Sequence, residues 1–359
     1  MKRALSMVCA VGFASAAWPC LAAAPLAAKG IEPRWCTVSP AVAAQGLGPV
    51  VKRLKPLLDS QPEPMAYMHT EGTLPGKGIR EESMRARRQL PIMRDAAYAW
   101  RAGAGDAYYA LAERYLTRWA AVYEPSFNPI DETGFDAFID TYAVLAPKMD
   151  PAARETVRAY LVKWGHGYVR EIEAQRVVSE SPQANKWNNN WQSHRVKLVT
   201  MAAVATHDAD LFNLARALFR KQIAQNMHGD GEILDFKERD ALHYVVYSLE
   251  PLLQAALAAR VRGEDWYLYA SPTGSSLMKG VKWLHPYATG EKTHQEFANS
   301  TVKFDAERLA AGQTEFSGLF KPSKAATVYW LASEFEPSYR ELARSLRADR
   351  PLFLSLCGN

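Results

Sequence analysis

Apolar residues recur at the spacing of amphipathic helices through most of this 359-residue chain, as in Leu111, Tyr115 and Trp119. The alternation typical of β-strands is scarce. The pattern predicts helices over residues 81–102, 106–123, 133–146, 151–173, 189–206, 208–227, 238–260, 322–335 and 337–346.

Short polar connections separate most of these helices, so consecutive helices should pack as antiparallel hairpins. Many such hairpins form either a helical solenoid or an α/α toroid. The chain shows no clear repeat of fixed period, which favours the toroid. We therefore expect an all-α fold, an incomplete α/α toroid (barrel) of antiparallel helical hairpins, with a concave groove suited to a long polymer.

Two stretches lack helical spacing. The segment from Gln61 to Arg80 is rich in proline and glycine, which predicts a loop that could cover the groove. His69 and Glu71 lie in this loop and are candidate substrate-binding residues. A second irregular stretch covers about 263–320.

The N-terminus has the pattern of a secretory signal peptide, because Lys2 and Arg3 precede an apolar run that ends among alanines. We expect residues 1–24 to be this signal and residues 25–359 to form one α/α-toroid domain. The protein is then periplasmic or secreted, and we expect a monomer. Cys36 and Cys357 would remain in a compartment where disulfides persist, and the sequence leaves open whether they pair or are two buried thiols.

Charge and sequence motifs limit the kinds of molecule that the protein is expected to bind. The formal net charge is +5 at pH 7, which is compatible with an anionic substrate. The export pattern and the lack of a nucleic-acid-binding motif argue against nucleic acid, and the N-terminal apolar run is shorter than the roughly 20 residues of a membrane span. The chain carries no familiar metal or phosphate-binding motif, so we expect neither a cofactor nor a metal.

The segment at 185–195 concentrates polar residues at the start of a predicted helix. Asn188 or Asn189 suits the helix cap. Asn190 and His194 lie four residues apart and share a face near the positive helix N-terminus, where an anion is favoured. The alternative is a solvated cap with a surface histidine. Candidate substrate contacts beside them are Trp191 and Arg195.

The segment at 238–247 lies in another predicted helix, in which Arg239, His243 and Tyr247 step by four residues and line one face. His243 and Tyr244 are further candidates for substrate binding. The alternative is that the histidine and tyrosines of this apolar helix are packing residues.

These residue types suit β-elimination from a uronic-acid polymer. That reaction removes the proton at C5, beside a carboxylate, and expels the oxygen at C4. Asn190, His194 and Arg239 can offset the carboxylate charge and stabilise an enolate-like intermediate. Tyr247 can serve as base and acid if a cation such as Arg239 lowers the pKa of its phenol from about 10.

Three segments resemble motifs of mannuronate-preferring alginate lyases, over about residues 185–340. They are Asn189-Asn190, Asp210-Leu211-Phe212 and Tyr247-Ser248-Leu249-Glu250-Pro251-Leu252. The stretch from Lys324 to Pro337, with Tyr329-Trp330-Leu331, also resembles the C-terminal helix of that family. The family has Asn-Asn-His at the first and Tyr-Ala-Leu-Pro-Pro-Leu at the third. The resemblance implies a lyase that leaves a C4=C5 unsaturated non-reducing end, with Asn190 as the carboxylate-neutralising asparagine and Tyr247 as the catalytic tyrosine.

Two positions depart from the family pattern. Trp191 stands where the family has its catalytic histidine, so we expect His194, one turn later, to replace it. Asp240 stands at the position of the family arginine, so Arg239 needs a small shift to act in its place. The departures leave the polymer open between polymannuronate (alginate), polyglucuronate and a uronate-containing exopolysaccharide.

Two other functions stay open. A glycoside hydrolase on the same toroid would need two carboxylates that flank the cleaved bond. Its candidates are Glu71, Asp131, Glu132 and Asp235. A non-catalytic uronan-binding protein of exopolysaccharide export would agree with Trp191 in place of the family histidine.

Overall fold

A computed structural model describes residues 47–176 and 187–357, and regular structure in these residues is almost entirely helical. The α-helices are α1 (Gly48–Leu54), α2 (Arg80–Arg87), α3 (Leu90–Arg101), α4 (Asp106–Val122), α5 (Phe135–Leu145), α6 (Pro151–Arg176), α7 (Asn190–Ala205), α8 (Ala209–Asn226), α9 (Leu234–Arg239), α10 (Leu242–Arg260), α11 (Leu277–Thr289), α12 (Lys303–Ala310), α13 (Ala326–Ala332), α14 (Arg340–Leu346) and α15 (Leu352–Cys357). Short 3-10 turns lie at Lys55–Leu57, Thr314–Phe316, Pro322–Ala325 and Pro337–Tyr339. The all-α prediction is confirmed.

The helices form two rows. Helices α3, α5, α7, α10 and α13 contact one another in that order. Each is followed in the chain by a helix that packs back against it: α4, α6, α8, α11 and α14. This arrangement is the incomplete α/α toroid expected from the sequence. Within the described chain, none of the helices has both the length and the apolar character needed to cross a membrane.

Helices α7 and α10 run side by side in the same direction. His194 contacts Tyr247 near their starts, whereas Met201 and Leu257, farther along each helix, line one small cavity. The N-termini of both helices therefore lie at the same end of the toroid. The positive ends of two helix dipoles together favour negative charge there.

Helix α7 begins where the asparagine run predicts. Asn189 is its cap, and the Asn189 side-chain oxygen accepts a hydrogen bond from the Trp191 backbone N–H at 3.0 Å. Most of the helix is buried, including the charged side chains of Arg195 and Lys197. Polar groups on such a helix must pair inside the protein or face an internal cavity, because unpaired burial is costly.

Two predicted helices are each interrupted. The predicted helix 81–102 divides into α2 and α3, with a turn at Arg88 and Gln89. The predicted helix 238–260 divides at Asp240, whose φ of 48° lies in the left-handed region. Aspartate tolerates this conformation better than most residues. Contacts from a distant segment hold it there, since the Asp240 backbone oxygen accepts a hydrogen bond from Phe297 N–H at 2.7 Å and its carboxylate accepts one from Asn299 N–H at 2.7 Å.

The expected irregular stretch at 263–320 contains two helices, α11 and α12, so that expectation is wrong in part. Gly280 and Pro286 lie inside α11 and weaken its helical signal. Gly280 serves close packing, because a Cβ there would lie 2.9 Å from a methyl group of Leu249 on α10. The predicted loop at 61–80 is confirmed, since α2 begins only at Arg80.

The predictions for the N-terminus fall on residues that the structure does not describe. The expected signal peptide, residues 1–24, and Cys36 lie outside the described ranges. The signal peptide, the boundary of the single domain and the bond between Cys36 and Cys357 therefore stay predictions.

Candidate active site

A histidine and a tyrosine meet where α7 and α10 touch. The rings of His194 and Tyr247 have centroids 4.3 Å apart and are tilted by 54°. His194 is 5% exposed, and neither of its ring nitrogens has a hydrogen-bond partner among the described residues. An unpaired buried polar group costs about 1–3 kcal/mol. The two ring nitrogens are therefore candidates to bind a ligand or an ordered water.

Burial sets the protonation of this pair. Burial, together with the charges of Lys197 and Arg87, holds the pKa of His194 well below its usual 6.5, so the imidazole is neutral at neutral pH. Burial raises the pKa of Tyr247 to about 12, although Arg87 and Arg308 oppose the shift. The sequence made Tyr247 a base only if a cation lowered the pKa of its phenol; that condition is not met, because desolvation outweighs both arginines.

Asn190 is anchored at the same seam by a buried carboxylate. Its backbone N–H and its side-chain amide donate hydrogen bonds to Asp235 Oδ1 at 3.2 and 2.5 Å. Asp235 also accepts hydrogen bonds from Asn226 Nδ2 at 3.1 Å and from Ser248 Oγ at 3.0 Å. Since Ser248 follows Tyr247, Asp235 ties the start of α7 to the tyrosine on α10. The Asn190 amide has two hydrogens, so one donor remains for another acceptor.

Arg239 does not lie on the helix of His243 and Tyr247. It is the last residue of α9, and the turn at Asp240 separates it from α10. The prediction that the three side chains line one face of one helix is therefore wrong for Arg239. His243 and Tyr247 do share a face of α10, with stacked rings 6.1 Å apart.

The guanidinium of Arg239 binds Tyr244 and an aspartate. Arg239 donates hydrogen bonds to Asp305 Oδ2 at 2.7 Å and to the Tyr244 hydroxyl at 2.7 Å. Arg308, on α12, donates to the same hydroxyl at 2.8 Å. Burial still raises the pKa of Tyr244 against both cations. Arg239 thus acts on Tyr244, and the two arginines hold that side chain beside His243.

Cations surround His243 as well. Burial and the charges of Lys324, Arg308 and Arg239 lower the pKa of His243 to about 4. Its backbone N–H donates a hydrogen bond to Glu296 Oε1 at 3.1 Å, at the start of α10. With Arg87 and Lys197 acting on His194, five basic side chains act on the two histidines, and Asp305 offsets part of the charge around His243. This potential favours an anionic ligand.

His69 and Glu71 lie in the loop at 61–79, which a buried aspartate holds in place. Asp131 Oδ1 accepts hydrogen bonds from the backbone N–H groups of Thr70 and Glu71 at 2.5 and 2.9 Å, and Asp131 Oδ2 lies 3.1 Å from His69 Nδ1. Arg87 donates a hydrogen bond to Thr70 Oγ1 at 3.0 Å. The charge of Arg87 also acts on His194 and Tyr247, so this arginine links the loop to the site electrostatically.

Trp191 and Arg195 lie on the face of α7 next to the one that carries Asn190 and His194. The Arg195 guanidinium lies over the Trp187 ring, 3.8 Å from its centroid, and 5.8 Å from the centroid of Trp191. Burial lowers the pKa of Arg195 to about 10. These contacts do not test whether Trp191 and Arg195 bind substrate. That role stays a prediction.

Three of the four carboxylates proposed for a hydrolase are buried and bonded within the protein. Asp131 and Asp235 are 1% exposed and hold the loop and Asn190 as described above. Glu132 is fully buried and accepts hydrogen bonds from the Tyr123 hydroxyl at 2.7 Å, from Trp164 Nε1 at 3.0 Å and from the Tyr168 hydroxyl. These carboxylates are structural, which removes most of the support for a hydrolase.

Sequence reasoning missed several side chains that shape the site. Arg308 lay in the stretch expected to be irregular. Arg87 carried no motif. Glu250 gave a signal, because it stands where the related motif has proline, but no role was inferred from it. In the described residues, no group of three or more histidine, cysteine, aspartate or glutamate side chains is placed to hold a metal ion.

Comparison with known proteins gives the class. A polysaccharide lyase from Stenotrophomonas maltophilia (strain K279a) is 30% identical over 177 residues, which are 49% of this chain and 46% of the relative. The match thus spans about half the length of that relative. The fold is similar to an alginate lyase from Bacteroides ovatus, with a TM-score of 0.63 at 16% identity over 89% of this chain and 96% of the other. Alginate lyase A1-III from Sphingomonas species A1 gives a TM-score of 0.55 at 15% identity, over 85% and 93% of the two chains. The toroid is therefore of the kind found in polysaccharide lyases.

The family follows from the sequence match. The family model for alginate lyases matches residues 41–294, which is most of the chain, so the chain belongs to the alginate lyase family. The resemblance drawn from the asparagine and Tyr247 segments is confirmed. The enzyme class expected from it, a polysaccharide lyase, is confirmed at the level of this family.

Proposed function

We propose that the protein cleaves a uronic-acid-containing polymer by β-elimination and leaves a C4=C5 unsaturated non-reducing end. The observation that carries the proposal is the contact of His194 with Tyr247 among basic side chains. A neutral imidazole can accept a proton, and a protonated phenol can donate one. Elimination needs both transfers, and the cations favour a substrate with a carboxylate beside the reacting carbon.

We assign the steps from these protonation states. A ring nitrogen of His194 accepts the proton from C5, and the electron pair of the C5–H bond forms the C4=C5 double bond. The C4–O bond breaks, and the leaving oxygen takes the proton of the Tyr247 hydroxyl. His194 is then cationic and Tyr247 anionic. His194 then gives its proton to solvent water and Tyr247 takes one from water, which restores the starting state.

The surrounding donors stabilise the charge that builds up on the substrate carboxylate. The free amide hydrogen of Asn190 and the guanidinium of Arg87 are proposed to bind that carboxylate. Negative charge beside His194 also raises the pKa of its imidazole, which makes it a better base once substrate is bound. Arg239 acts indirectly, through its hydrogen bond to the Tyr244 hydroxyl.

Solved relatives support a polysaccharide ligand. Alginate lyase A1-III has been solved with a tetrasaccharide in variants that replace one tyrosine by phenylalanine or one histidine by alanine. This chain has the same two residue types in mutual contact, His194 and Tyr247. The substrate is proposed to be polymannuronate, polyglucuronate or a related uronan, and the enzyme to act as a monomer in the periplasm or outside the cell.

The test is incubation of the purified protein with polymannuronate, polyglucuronate and other uronans. Far-ultraviolet absorbance of the new double bond should grow with at least one of them. Cleavage to saturated products would instead indicate a hydrolase, and binding without cleavage would indicate a non-catalytic uronan-binding protein.

A further inference from the structure

Glu250 lies one turn after Tyr247 on α10, at a position where the related motif has proline. It lines a cavity of about 80 Å³ that extends from the catalytic pair along the α7–α10 seam. The residues that line this cavity are His194, Lys197, Tyr247, Glu250, Pro251 and Gln254. Since the two helices are parallel, the cavity lies on the side of His194 away from the helix N-termini and Asn190.

The cavity suits water. A buried water needs about 10–15 Å³ and two to four polar partners, so the space accommodates more than one. Two groups in its wall lack hydrogen-bond partners among the described residues, namely the His194 ring and Gln254 Oε1. Most buried polar groups in native proteins have a partner, either in the protein or in ordered water. Glu250 adds a carboxyl group to the same wall.

Charges on three sides face Glu250. Lys197, on α7, donates a hydrogen bond to the Thr133 backbone oxygen at 2.9 Å and lies 3.5 Å from Asp136 on α5. Burial raises the pKa of Glu250, with Asp136 acting in the same direction and Lys197 and Arg347 against it. Tyr247, on α10, is the fourth titratable group near Glu250, and the charge of Glu250 raises the pKa of Tyr247.

We propose that ordered water in this cavity links the Glu250 carboxyl group to one ring nitrogen of His194, and so holds the neutral imidazole in a single tautomer with its other nitrogen toward the substrate. Glu250 is then a positioning residue, comparable to the partners that fix the tautomer of histidine in other active sites. The inference rests on the proposed function, in which His194 accepts a proton and must present a lone pair.

The test compares Glu250→Gln with Glu250→Leu in the full-length protein. Glutamine keeps a hydrogen-bonding group at the water and removes only the charge, whereas leucine removes both. We expect Glu250→Leu to lower kcat by about 10- to 100-fold with a nearly unchanged KM, and Glu250→Gln to restore most of kcat. Equal losses in both variants would overturn the proposal, because they would show that the charge opposite Lys197 is what matters. Wild-type kcat in Glu250→Leu would also overturn it.

A second measurement does not depend on activity. Nitrogen-15 NMR of the histidine rings, with His194 assigned from His194→Gln, should show one neutral tautomer in the wild type and in Glu250→Gln, and a mixture of tautomers in Glu250→Leu. Unchanged His194 shifts in a folded Glu250→Leu protein would refute the link. If no uronan is cleaved but the tautomer responds as expected, the proposed function fails and the water link stands.

Discussion

The imidazole of His194 packs against the phenol of Tyr247 with ring centroids 4.3 Å apart, and burial moves their pKa values in opposite directions. Each loss of solvation disfavours the charged form, which is the cation for histidine and the anion for tyrosine. The pair is therefore held as neutral base and neutral acid. In the proposed elimination, this one contact between two helices supplies both proton-transfer groups.

The pH dependence of kcat/KM follows from these states. His194 must be unprotonated, and its pKa lies well below 6.5, so activity should fall only on the acid side of that value. Tyr247 must be protonated, and its pKa is about 12. We expect an almost flat profile from about pH 6.5 to 10, measured as initial rates of double-bond formation. A rise of about tenfold per pH unit across this range would show instead that Tyr247 must first lose its proton.

Asp235→Asn should damage both the fold and the rate. Asp235 accepts hydrogen bonds from Asn190, Asn226 and Ser248, and an asparagine amide would oppose at least one of these donors. The free energy of unfolding should fall by about 1–3 kcal/mol. Displacement of Asn190 should lower kcat by about 100-fold. Denaturant unfolding and initial rates test this, with Asp59→Asn at an exposed aspartate as the control; equal effects in the two variants would contradict the anchor.

The predicted helices agree best with the structure where a helix-capping residue coincides with a strong helical spacing of apolar residues. Helix α4 lies within one residue of the predicted 106–123, and α7 follows its Asn189 cap as the sequence indicates. These features are local, so the sequence contains them. The break at Asp240 is different. Residues on both sides of it form helix, and the left-handed turn depends on contacts with Phe297 and Asn299, more than 50 residues away.

The catalytic candidates could be named from sequence, but their partners could not. Asn190 and Asp235 are 45 residues apart, and Arg239 and Asp305 are 66 apart. A carboxylate in the sequence does not show whether it faces substrate or holds another side chain. The direction of the Tyr247 pKa shift could not be read from the sequence for a related reason, since desolvation depends on burial, which the pattern of a single helix does not measure.

The variant Glu132→Gln tests whether Glu132 is a structural or a catalytic residue. The Glu132 carboxylate accepts hydrogen bonds from Tyr123, Trp164 and Tyr168 in the core, so the substitution should lower the free energy of unfolding by about 1–3 kcal/mol. Well below the unfolding temperature, kcat should stay close to the wild-type value. A drop of about 100-fold or more in a folded variant would return Glu132 to the catalytic candidates and revive the hydrolase.

Arg87→Gln should weaken the binding of an anionic substrate and alter the acid limb of the pH profile. If the interaction of Arg87 with the substrate contributes about 1.4 kcal/mol to binding, its loss raises KM about tenfold. Because the charge of Arg87 lowers the pKa of His194, its removal should move the acid limb to higher pH. Arg85→Gln is the matched control, as Arg85 is exposed on the same helix. Unchanged KM and an unchanged acid limb in Arg87→Gln would place the substrate carboxylate elsewhere.

The most direct measurement is the formation of unsaturated product from the preferred uronan by the wild type, by Tyr247→Phe and by Tyr160→Phe. Tyr160 lies on α6, where its hydroxyl donates a hydrogen bond to the Tyr123 backbone oxygen at 3.3 Å. We expect far-ultraviolet absorbance from the wild type, a rate lower by about 10²- to 10⁴-fold for Tyr247→Phe, and a nearly normal rate for Tyr160→Phe. A folded Tyr247→Phe protein that eliminates at the wild-type rate would contradict the role of the His194–Tyr247 pair.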